Sequence, residues 1–102
     1  MENKIIENLK ERKNIVTKEM VAANMQDIKC TTITLFDKPC TYVECRMKNG
    51  FTVRETTTCV DPANYSEEIG KQICEKRIED QVWKLLGFEL ASKLNGTALV
   101  EE

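Results

Sequence analysis

The chain has 102 residues, 41% apolar and 31% charged, with a formal net charge of −2, five cysteines and no histidine. That balance is globular, and it excludes a protein that coats DNA or RNA, because phosphate-dominated binding needs a basic surface. The missing histidine removes the commonest general base and every Ser-His or Cys-His pairing.

Glu2 to Lys13 carries Ile5, Ile6 and Leu9 at helical spacing among many charges. This predicts an N-terminal helical arm, residues 1–16, that needs a partner surface to be ordered. The same charged start lacks the apolar core of a signal peptide, and no apolar run approaches the roughly 18 residues of a membrane span. A cytoplasmic protein is expected. Thr17 is placed to cap a short helix from Lys18 to about Asn24. The period then changes to two: Lys29 to Phe36 alternates Thr31, Ile33 and Leu35 against Cys30, Thr32 and Thr34, and Asp37-Lys38-Pro39 reads as a turn.

Thr41 to Met47 and Phe51 to Val60 read as a hairpin joined at Lys48-Asn49-Gly50. A two-residue Asn-Gly loop would set Met47 opposite Thr52 and mix apolar with polar on one face. A three-residue loop with Gly50 left-handed sets Met47 opposite Phe51 and Cys45 opposite Val53, which keeps one face apolar. The second is expected, and it brings Glu55 beside Val43. Pro62 then removes a ladder donor and ends the strand at Asp61-Pro62. The following helix starts near Asn64, which has capping-box spacing to Glu67, or near Ser66. Ile69, Ile73 and Ile78 are expected to face inward. From Val82 to Leu94 the apolar residues, Trp83 and Phe88 among them, cover almost the whole circumference. A three-stranded sheet covers one side only, so association of copies is expected, with Gly87 allowing a bend or close approach. Asn95-Gly96 ends the helix.

The fold class is therefore α+β: a three-stranded antiparallel β-meander packed on a long C-terminal α-helix, with N-terminal helical segments, in an oligomer. Residues 17–96 form the single domain and 97–102 a tail. The cysteines form no Cys-x-x-Cys pair and are odd in number, which argues for buried thiols in a reducing compartment and no metal site.

The stretch from Asn49 to Leu94 resembles a family of small tailed-phage proteins named after phage gene product forty-nine. The resemblance rests on Asn49-Gly50-Phe51, Cys59-Val60-Asp61-Pro62-Ala63-Asn64-Tyr65, Glu67 to Ile73 and Trp83 to Leu94. Cys-Val-Asp-Pro followed by Ile-Gly is its specific part. The chain departs from the family at Arg54-Glu55, where a strand Gly is commoner, and at Cys74 and Glu75, where alanines are. The pattern also looks like that of the Thoeris anti-defence (Tad) proteins, which sequester cyclic ADP-ribose isomers without cleaving them. That resemblance implies an oligomeric, non-enzymatic sponge in the infected bacterial host, with no cofactor. It also implies ligand contacts at the positions of Phe51 and Asp61.

Each of these residues has two readings. Phe51 either stacks an adenine or belongs to the core. Asp61 either accepts from ribose hydroxyls or is a routine turn residue before Pro62. Arg77 either meets a phosphate or pairs with Asp80 or Glu79 on a solvated face. Arg54 is exposed or turned into an interface, Gln72 is a surface residue unless a pocket forms beside it, and Trp83 is a core or interface anchor. The expected function is sequestration of a cyclic ADP-ribose isomer, and of cyclic di- or trinucleotides as a second ligand class. The alternative is a phage structural or protein-interaction accessory.

Overall fold

The computed structural model describes residues 13–97; the expected arm up to Arg12 and the tail beyond Thr97 lie outside the described residues. A short helix, α1 (Lys18–Asn24), leads into strands β1 (Met25–Leu35), β2 (Lys38–Met47) and β3 (Thr52–Thr58). A 3-10 turn (Pro62–Asn64) then precedes α2 (Glu67–Asn95). The strands form an antiparallel sheet in the order β1-β2-β3. This is the expected meander on a long helix.

Local chemistry sets most boundaries. Thr17 Oγ1 accepts from Met20 N–H at 3.2 Å and starts α1. Gly96 ends α2 in the left-handed conformation at φ +63°. The three-residue hairpin forms as expected: Gly50 sits at φ +89°, and Met47 N–H donates to Phe51 O at 2.8 Å. Cys45 accordingly lies opposite Val53 and Val43 opposite Glu55.

The other hairpin corrects the expected Asp37-Lys38-Pro39 turn. Leu35 pairs with Lys38, so the loop is two residues, Phe36 and Asp37. Both are left-handed, at φ 50° and 61°, as the right-handed twist of the flanking strands requires of so short a loop. Pro39 thus lies in the central strand. It is tolerated because β3 stops at Thr58 opposite Cys40, so no β3 residue stands beside Pro39 to need its missing N–H. Thr58 Oγ1 instead donates to the Pro39 carbonyl at 2.8 Å.

The core lies between one sheet face and α2. Val43, Cys45, Met47 and Val53 come from the sheet, Val21 from α1, and Cys74, Ile78, Val82 and Leu86 from α2. Trp83 packs partly buried against this cluster. Burial raises the Cys45 and Cys74 thiols above their ordinary range. The expected inward face of the helix is corrected here: Ile69 is 59% and Ile73 39% exposed, whereas Gly70 and Cys74 face the sheet. Small residues win those positions because the helix begins close against Thr41. Gly87 needs no close approach, since a Cβ there would meet nothing within 4 Å.

Candidate functional site

The corner between β3 and α2 is built by stacked caps. Asp61 Oδ1 accepts from Ala63 N–H at 3.0 Å and opens the 3-10 turn, with Pro62 at its first position. Of the two helix starts expected, Ser66 is the one used: its Oγ accepts from Ile69 N–H at 3.2 Å. Glu67 does not form the capping box with Asn64. Its carboxylate accepts instead from the Thr32 hydroxyl on β1.

Tyr65 ties this corner to the sheet. Its hydroxyl lies 2.8 Å from Thr32 Oγ1 and 2.8 Å from Thr41 Oγ1. Since the Thr32 proton goes to Glu67, Tyr65 must donate to Thr32 and accept from Thr41. The result is a one-way chain, Thr41 to Tyr65 to Thr32 to Glu67, ending on a carboxylate. Thr41 is fully buried, and Tyr65 is its hydroxyl's hydrogen-bond partner. Tyr65→Phe should therefore cost about 1–3 kcal/mol by stranding that hydroxyl, which a denaturant titration will read.

The corner cavity is about 80 Å³, edged by Tyr65, Asn64, Thr57 and Ile69. Ligand pockets run from roughly 300 Å³ upward, so one chain's corner is too small to bury a nucleotide. The electrostatics there also disfavour an anion. Glu67 and Glu68 occupy the first turn of α2, where they complement the helix dipole themselves.

The structure disperses the five residues singled out from sequence. Asp61 is at the corner, capping its turn. Phe51 is at the far end of β3, 55% exposed, beside a groove of about 480 Å³ lined by Met47, Leu85, Leu86 and Phe88. The seven residues of β3 separate the two, a span of roughly 20 Å. Arg54 lies on the sheet face opposite α2, paired with Glu44 at 2.9 Å, and that hydrogen bond first, then the Glu44 charge, raises its pKa. Arg77 donates to Thr56 O at 3.4 Å along the β3 edge. Gln72 donates to Glu68 at 3.4 Å on the exposed side of α2.

Sequence reasoning passed over Tyr65 as a site residue and did not pair Phe88 with Phe51. An aromatic just before the helix cap was a signal for the first. The second pairing depends on how α2 crosses the hairpin, which no local pattern encodes.

This geometry defines a small α+β fold, with a polar corner at one end of the sheet and an aromatic groove at the other. Residues 16–94 match the Phage protein (N4 Gp49/phage Sf6 gene 66) family, and the chain belongs to it. No curated protein and no solved structure matches it. Among the described residues no helix is long and apolar enough to cross a membrane.

Proposed function

We propose that this phage protein is an anti-defence sponge that binds a cyclic nucleotide immune signal, first a cyclic ADP-ribose isomer, and holds it without cleavage. The supporting observation is the groove at Phe51, where Phe51 and Phe88 stand 55% and 75% exposed around about 480 Å³ of open space. A stacked purine would cover those rings, and base–aromatic stacking contributes about 1–3 kcal/mol per base. The ligand class itself comes from the resemblance to the Thoeris anti-defence proteins.

Among the described residues the groove is lined by Glu89 and by no lysine or arginine, so phosphate charge is met by Arg54 or Arg77 brought from a neighbouring copy. Asp61 then takes ribose hydroxyls. A ligand touching both Phe51 and Asp61 is held between chains, because β3 keeps them apart within one. Holding needs no catalytic group; rigid presentation of rings and cations suffices. The site of action is the cytoplasm of the infected bacterium.

Isothermal titration with cyclic ADP-ribose isomers, cyclic dinucleotides and cyclic trinucleotides tests this. The expected result is low-micromolar or tighter binding of at least one, recovery of unaltered ligand on heating, and about tenfold or greater weakening by Phe51→Ala. Absence of heat from all of them, or a chemically changed ligand, rejects it. A second reading, a structural or protein-interaction accessory of the phage, draws on the exposed Phe88 and Leu94 at the end of α2, the latter 54% exposed. Silent titrations together with a protein captured from infected cells, and lost on Phe88→Ser, would favour that reading.

A further inference from the structure

The two edges of the sheet are treated differently. Met47 N–H donates to Phe51 O, so the odd-numbered residues of β2 bond to β3 and the even-numbered ones to β1. By the β1–β2 register, odd residues of β1 bond to β2. The backbone groups of Ile28, Cys30, Thr32 and Thr34 therefore point away from the sheet. On the β3 edge, helix side chains cover the outward carbonyls: Gln81 reaches Arg54 O and Arg77 reaches Thr56 O, both at 3.4 Å. On the β1 edge, among the described residues, no turn, cap or loop backbone bond involves these four residues.

An exposed lysine on an edge strand is ordinarily a deterrent to strand addition, and Lys29 fits that description. Its neighbours change the argument. On the face opposite α2, one row across the sheet reads Arg54, Glu44, Lys29, and the next reads Thr52, Arg46, Asp27. Arg54 pairs with Glu44 and Arg46 with Asp27, while Lys29 makes no ion pair among the described residues. Two residues apart on the free edge, Lys29 and Asp27 are thus a positive end and a negative end of two charge rows.

We infer that β1 is a self-complementary edge that pairs antiparallel with β1 of a second copy, about a twofold axis at Ile28. In that register Ile28 exchanges both backbone hydrogen bonds with the partner's Ile28. Lys29 falls opposite the partner's Asp27 and Asp27 opposite the partner's Lys29. The row then alternates in sign through both copies: Arg54, Glu44, Lys29, then the partner's Asp27 and Arg46. A shift of the axis by one residue to Lys29 sets lysine against lysine, and an axis at Cys30 or Thr31 leaves Lys29 facing Thr31 or Ile33. Only the Ile28 register matches unlike charges. The register shift between Met25 and Asp27 bends the start of the strand and limits the added ladder, so the dimer is small and concentration-dependent. It is independent of nucleotide binding: a dimer that takes no ligand leaves it intact.

Sedimentation of the full chain across micromolar concentrations should show the mass rising from 11.7 kDa toward twice that value. Lys29→Glu and Asp27→Lys, each an exposed substitution, should each raise the dissociation constant about tenfold or more by setting like charges opposite. Mixed together, those two variants should form a heterodimer, because each supplies the charge the other lacks. A wild-type chain that stays at 11.7 kDa, variants that associate as the wild type does, or a mixture that stays monomeric each overturns the inference.

Discussion

Gly70→Ala is expected to be among the most damaging single-methyl changes available in this fold, costing about 3 kcal/mol through overpacking. A Cβ at this position would lie 2.1 Å from Thr41 Oγ1 and 2.7 Å from Thr41 Cβ. Neither neighbour can give way cheaply, because Thr41 is fully buried on the central strand and its hydroxyl is held by Tyr65. Either α2 lifts from the sheet, or the chain from Thr41 through Tyr65 and Thr32 to Glu67 breaks. The same substitution later in the helix supplies the control. A Cβ at Gly87 meets nothing within 4 Å, so Gly87→Ala should stabilise by about 0.5–1 kcal/mol through helix propensity alone. Urea titrations of both variants read the opposite signs directly. Adding Thr41→Ala to Gly70→Ala removes the nearest atom and should recover part of the loss. Equal behaviour of the two glycine variants would mean that α2 does not approach β2 at Thr41.

The contrast between those glycines shows which parts of the fold were legible in the sequence. Turn and cap chemistry is local, so Gly50 in the three-residue hairpin, Thr17 before α1 and Gly96 after α2 could be assigned from their neighbours. The apolar face of the second hairpin followed from alternation once the loop length was chosen. The Phe36-Asp37 turn was not legible, because neither residue has glycine's ease at positive φ and the twist of two strands imposes the conformation. Nor was the inward face of α2. Isoleucines at 69 and 73 outweigh Gly70 and Cys74 on any hydrophobic count, yet close approach to Thr41 favours the small pair. For the candidate site, the separation of Phe51 from Asp61 by the whole of β3 (Thr52–Thr58) was present in the length of the strand between them. Whether two chains bring them together depends on the geometry of assembly, which neither residue's neighbours in the sequence encode.

Three isoleucines on α2 turn that lesson into a measurement. Ile78 is fully buried in the cluster that includes Val43, Cys45, Cys74 and Val82. Truncating it removes buried methyl and methylene groups and leaves a cavity, because the sheet on one side and α1 on the other limit collapse. Ile78→Ala should cost about 3–4 kcal/mol, within the range seen for such buried truncations. Small domains lie toward the low end of an overall stability of about 5–15 kcal/mol, so this one change removes a large share of it. Ile69 and Ile73, at 59% and 39% exposed, have already left much of their surface in water, and Ile69→Ala or Ile73→Ala should cost about 1 kcal/mol or less. Denaturant titrations with a shared m-value compare the three on one scale. If Ile73→Ala cost as much as Ile78→Ala, its side of the helix would have to be packed in solution. Copies would then meet across that face of α2 as well as, or in place of, the β1 edge.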